Sequence, residues 1–223
     1  MSLPIALVFL LLVGVVVALS VWRGARRRDE IAAWASGRGL TFRPDRDGTL
    51  ADPHPAFRCL HRGSSRYAYN VARGEWDGRA VVVFDYHYAT QNGKQRQDHR
   101  FSAVLLASRL ALGPLLIRPE GLFDRLTEFL GFDDIDFESA EFSRDFHVTS
   151  PDRRWAYDVL NQATMEFLLA QPRFSIQFDD RTVLVWRNSR FDLATFEAAI
   201  EVAAGLLDRL PSYVVEDRSR KGG

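Results

Sequence analysis

From Leu3 to Val21 the chain reads LPIALVFLLLVGVVVALSV, an apolar run with no charged side chain and no polar face. As a helix it would span about 28 Å, close to the ~30 Å hydrocarbon core of a bilayer. A short helix follows over DEIAAWASGRGL (29–40), with Ile31, Ala32, Trp34 and Ala35 on one side and Gly37 and Gly39 at its end. Residues 41–60 are rich in Pro, Asp and Gly and read mostly as loop. Alternation then takes over. RYAYNVARGEWDGRAVVVFDYHYAT (66–90) is two period-2 runs joined at Asp77–Gly78, a dipeptide suited to a primed turn. A regular register would set Trp76 opposite Arg79, Val71 opposite Phe84, Tyr69 opposite Tyr86 and Tyr67 opposite Tyr88, an aromatic ladder on one face.

Further along, HRFSAVLLAS (99–108) predicts a third strand, with Arg100 beside His87 and Ser102 beside Asp85, and PLLIRPE (114–120) a fourth. Helical spacing of Leu122, Phe123, Leu126, Phe129 and Leu130 predicts a helix over 121–132. A strand is expected over 141–150, starting near Phe142. Ser150–Pro151 then starts a helical region, broken near Asn161, that runs toward Ala170. RFSIQFDDRTVLVWR (173–187) reads as a second hairpin. Asp192 caps a last helix striped by Leu193, Phe196, Ile200, Ala203, Leu207 and Leu210, and 211–223 reads as a flexible tail. Strands joined by hairpins, with most helices later, argue for an α+β fold of antiparallel sheet and packed helices.

The organisation is therefore an anchor over 1–28, one α+β domain over 29–210 and the tail. Trp22, Arg23, Arg26, Arg27 and Arg28 follow the apolar run and form a membrane-interface cluster. Arginines mark the cytoplasmic side, which places the N-terminus outside and the main domain in the cytoplasm, with the lipid bilayer as first partner. A signal peptide cleaved after Ser20 is the competing reading; the absence of a basic residue before Leu3 counts against it.

Charge and composition narrow the chemistry. Lys+Arg and Asp+Glu balance at 29 each, and no basic stripe extends beyond the juxtamembrane arginines, so no nucleic-acid partner is expected. The lone Cys59 excludes an intramolecular disulfide and a multi-cysteine zinc site. Together with His61 it lacks the third group that would orient a thiolate–imidazole pair. No phosphate-binding loop, nucleophile elbow or zinc-protease motif occurs, and no cofactor or metal is expected.

The most acidic stretch, DDIDFESAEFSRDF (133–146), begins like a calcium loop at Asp134, Asp136 and Glu138. Ser139 stands where such a loop needs glycine, Phe142 where a small polar residue belongs, and Asp145 where a longer glutamate closes the shell. It reads as a fold-determining turn. The chemically suggestive group is Asn70, Asp85, His87, Arg100 and Ser102, which three strands would gather on one sheet face. A carboxylate, an imidazole and a guanidinium there could bind a small anion or perform acid–base work in a membrane-bound enzyme. The alternative is a cross-strand polar network at the end of an apolar sheet, with the protein acting by binding or scaffolding a protein partner.

The blocks GEWDGRAVVVFDYHY, IRPEG, DIDFESAEFSRDFHV and ATMEFLLA resemble those of uncharacterised bacterial membrane-anchored proteins that carry a domain of unknown function. The resemblance covers roughly residues 38–210. It implies the anchor-plus-domain layout and no activity, cofactor or catalytic residue.

Overall fold

The computed structural model describes residues 3–93, 95–120 and 135–221, and of residues 3–7, 9 and 221 the backbone alone. The helix expected over 121–132 lies outside the described residues. So do Asp133 and Asp134.

The apolar run and the segment that follows it form one continuous helix, α1 (Leu3–Gly37). Its two halves meet different surroundings. Val8, Leu10–Val13, Val15–Val17, Leu19, Val21 and Trp22 are exposed, whereas Ile31 and Ala35 are buried. Arg27, Ile31 and Ala35 recur every four residues, so they share the face that docks on the domain. Among the described residues no helix is long and apolar enough to cross a membrane. The expected transmembrane helix thus stands in the fold only as an N-terminal helix with an uncovered apolar half.

The domain is built on a six-stranded antiparallel sheet, β1 (Thr41–Arg43), β2 (Ser64–Trp76), β3 (Arg79–Asn92), β4 (Gln95–Pro119), β5 (Phe146–Thr149) and β6 (Ser175–Arg187). The order is β1-β2-β3-β4-β5, with β6 along the other edge of β4. The β2–β3 turn forms at Asp77–Gly78, both at positive φ, and Trp76 faces Arg79 as the sequence predicts. The aromatic ladder does not form. The register slips by one residue between Tyr69 and Ala72, at Asn70 (φ 50°), so Tyr69 faces Asp85 and Tyr67 faces His87. A one-residue slip exchanges sheet faces. Tyr67 therefore stacks on His87 at 4.6 Å, while Tyr86 and Tyr88 join Phe101 on the opposite face. The β3–β4 register is the expected one, with Asp85 opposite Ser102 and His87 opposite Arg100.

Three other segments depart from the sequence reading. Residues 114–119 of the stretch expected as a separate fourth strand belong to the long β4. Residues 173–187 make no hairpin; β6 runs on past Asp180 (φ 46°) because the long β4 offers partners to both of its halves. Phe142 starts no strand, because Ser139 caps a helical turn, α2 (Ala140–Asp145), its Oγ accepting from the Phe142 N–H at 3.3 Å; β5 begins at Phe146.

The helices follow their caps. Asp152, two residues after the expected Ser150, caps α3 (Arg153–Val159), and Asn161 caps α4 (Gln162–Ala170) at the anticipated break. Asp192 caps α5 (Leu193–Asp208), accepting from the Thr195 N–H at 2.8 Å, and those Thr195 hydrogen bonds hold its carboxyl below the usual carboxylate range. The residues expected as a tail carry α6 (Ser212–Lys221), pinned by buried Val214 and by Arg218 over the Trp155 ring.

Two apolar clusters cover the two sheet faces. One gathers Val81, Val83, Val104 and Ile117 beneath α5, the C-terminal half of α1 and Trp155. The other packs Phe84, Tyr86, Phe101 and Trp186 against Phe57 and Leu60 of the loop before β2.

Candidate functional site

Asp85 lies in the middle of β3 on the face that α1 covers, and its side chain is wholly buried. A lone carboxylate there would carry a desolvation penalty of several kcal/mol unless paired and hydrogen-bonded. Its partners come from three elements. Arg27 of α1 reaches it with both fork nitrogens, Nη2 to Oδ1 at 2.6 Å and Nε to Oδ2 at 2.8 Å. Asn70 donates through Nδ2 at 2.9 Å, its side chain aimed there by the β2 bulge, and Ser102 of β4 donates through Oγ at 2.5 Å. Arg27 also donates to the Phe191 carbonyl at 2.7 Å, while the Phe191 N–H donates to Ser102 Oγ at 2.9 Å. Although Arg27 is largely buried, hydrogen bonding and attraction to Asp85 outweigh desolvation and raise its pKa. The guanidinium stays charged. The network is a clamp between α1, three strands and the start of α5.

Of the five residues predicted to gather, Asn70, Asp85 and Ser102 do. His87 is one pair further along the sheet and turns to other partners, with Nδ1 3.0 Å from the Ser65 carbonyl and Nε2 3.2 Å from Asp98 Oδ1. Arg100 stands opposite His87 but is exposed and makes no ion pair among the described residues. Both Asp85 oxygens are occupied and have no solvent contact, and Asp85, His87 and Arg100 share no side-chain hydrogen bond among the described residues.

The interface cluster divides in the same way. Trp22, Arg23, Arg26 and Arg28 are exposed; Arg26 stacks 5.6 Å over Trp22 and pairs with Glu30. Arg27 alone turns inward. Sequence reasoning placed it at the membrane and missed its partner. The available signal was the buried strand position of Asp85, which demands a cation, and the four-residue spacing to Ile31 and Ala35.

The remaining motifs are structural. Ile135 and Phe137 are buried, and Asp145 pairs with Arg173 at 2.5 Å. Cys59 is buried and its thiol is pushed up by burial; His61 Nε2 lies 3.0 Å from the His54 carbonyl. A cavity of about 750 Å³ beside β1 contains the Arg73–Asp47 pair at 2.9 Å. A second, of about 430 Å³, opens where α1 leaves the domain and is lined by Arg100, Asn70 and residues of α1.

No protein-family model and no curated protein matches the chain. Its fold is similar to that in the crystal structure of the mycobacterial trehalose monomycolate transport factor A, TtfA. The TM-score is 0.60 at 16% identity, over 84% of this chain and 96% of that one. At that identity the likeness is one of fold.

Proposed function

We propose that this protein is a membrane-tethered binding or scaffolding domain that serves a lipid transport system of the cell envelope. In this reading the first half of α1 is inserted in the bilayer with its N-terminus outside, and the sheet domain is held at the cytoplasmic surface. The observation that carries it is the uncovered apolar half of α1. Eleven large side chains between Val8 and Trp22 are exposed, all on a helix whose other half is locked into the domain. Contiguous apolar surface of this extent calls for a membrane or a partner. The following arginines and Trp22 suit the headgroup region and favour the cytoplasmic orientation. The fold neighbour is a transport factor for trehalose monomycolate, and that likeness is the ground for proposing a transport task here. The clamped state of Asp85 favours binding over catalysis.

Cell fractionation tests the tether. The full chain is expected in the membrane pellet, resistant to alkaline carbonate. A Leu12→Arg/Val16→Arg variant should shift to the soluble fraction, since each arginine near a span's centre costs about 2.5–3.5 kcal/mol. Wild-type protein released by carbonate would sink the reading.

A further inference from the structure

The 430 Å³ cavity at the base of α1 is lined by Arg23, Arg27 and Arg28 of the helix, Arg46 of the following loop, Arg100 of β4 and Arg190 before α5. Among the described residues no acidic side chain lines it. Arg27 is neutralised by Asp85, whose side chain has no solvent exposure and cannot reach the cavity. Arg46 lies over the Tyr67 ring at 4.6 Å. Arg23, Arg28, Arg100 and Arg190 make no ion pair among the described residues. Four uncompensated guanidinium groups from three separated chain segments thus share one cleft, although the whole chain is charge-balanced. Like charges so placed repel one another, and a bound anion removes that cost.

Guanidinium forks match the oxygens of phosphate in paired, charge-assisted hydrogen bonds. Ser20 and Gly24, one helical turn apart, form the α1 wall, and a Cβ at Gly24 would meet nothing within 4 Å. That wall flanks Val21 and Trp22, where the apolar run ends. The cleft therefore opens at headgroup depth if α1 is inserted as proposed above, and the inference rests on that reading. We propose that this cleft is a saturable site for the phosphate-bearing headgroup of an anionic phospholipid, read by Arg100 and Arg190 of the sheet domain together with Arg23 and Arg28 of the helix. Diffuse attraction to a basic segment would need only the helix arginines; this site also needs the two that the fold brings to it.

The test uses the full chain in neutral maltoside micelles, titrated with dihexanoyl phosphatidylglycerol, dihexanoyl phosphatidylcholine or inorganic phosphate. Phosphatidylglycerol is expected to saturate one site and to bind about tenfold tighter than phosphatidylcholine, a difference of ~1.4 kcal/mol. Arg100→Gln/Arg190→Gln should abolish that preference, whereas Arg153→Gln/Arg154→Gln, at exposed positions of α3, should retain it. Equal affinity for the two lipids, or equal loss in both double variants, overturns the site. Inorganic phosphate displacing phosphatidylglycerol at the concentrations at which that lipid binds would assign the cleft to a soluble anion and overturn the lipid assignment. Protein that remains carbonate-resistant yet shows no lipid preference refutes the cleft alone, whereas release by carbonate refutes the tether.

Discussion

Arg27→Ala lowers the thermal unfolding midpoint of the full chain in neutral micelles by on the order of 10 °C, while Arg26→Ala and Arg28→Ala each shift it by less than about 2 °C. The three arginines are adjacent in sequence and identical in chemistry, and only their direction separates them. Removing Arg27 strands a fully buried carboxylate that keeps only Asn70 and Ser102 as donors. Breaking a buried pair by deleting one partner costs about 3–5 kcal/mol. The exposed Arg26–Glu30 pair contributes only ~0.3–0.5 kcal/mol. Arg27→Lys should fall between, because an ammonium keeps the charge and loses the fork that grips both carboxylate oxygens. Equal effects at all three positions would show that the clamp does not hold α1 to the domain.

Trp155→Ala is expected to cost about 3–5 kcal/mol, the range for truncating a large buried aromatic. Trp155 is 1% exposed, packs edge-on against Phe178 at 6.3 Å and donates from Nε1 to the Gly113 carbonyl at 2.8 Å. Arg218 of α6 stacks on its other side at 4.5 Å, so the ring joins β4, β6, α3 and α6. Trp155→Phe keeps most of the apolar volume and loses the donor, leaving the carbonyl unsatisfied for about 1–3 kcal/mol. Gly113→Ala approaches the same contact from the other side. Its Cβ would stand 2.8 Å from the indole Cδ1, forcing the ring aside at a cost of about 1–3 kcal/mol. Equilibrium denaturation of the three variants checks the order Ala above Phe; a loss below ~1 kcal/mol for Trp155→Ala contradicts it.

Periodicity and turn chemistry made much of this fold legible. The Asp77–Gly78 turn, the β3–β4 register, the break at Asn161 and the Asp192 cap each depend on a few neighbouring residues, and local chemistry decides them. What escaped depends on distant partners. Asn70 adopts positive φ and shifts the β2 register because its amide bonds to Asp85 across the sheet, which alternation alone cannot register. Residues 173–187 look like a hairpin until β4 proves long enough to pair with both halves. Phe142 is a local exception: it fits a strand by composition, and the cap three residues earlier at Ser139 turns it into helix. At the candidate site, Asp85 with Ser102 was readable from register, whereas Arg27 was concealed among four arginines whose common charge suggested one common role.

The proposed tether requires a single helix with its first half in lipid and its second half clamped to the sheet. Spin labels report this directly. Cys59 is buried with its thiol pushed up by that burial, so it can remain while labels are placed through Val13→Cys, Val16→Cys and Ser36→Cys. With the protein reconstituted in phospholipid bilayers, collision with oxygen and with a water-soluble nickel chelate is measured at each site. Positions 13 and 16 are expected to collide freely with oxygen and hardly with nickel, and position 36 to do the reverse. Nickel access at 13 and 16, or shielding of both from either reagent, would contradict the tether.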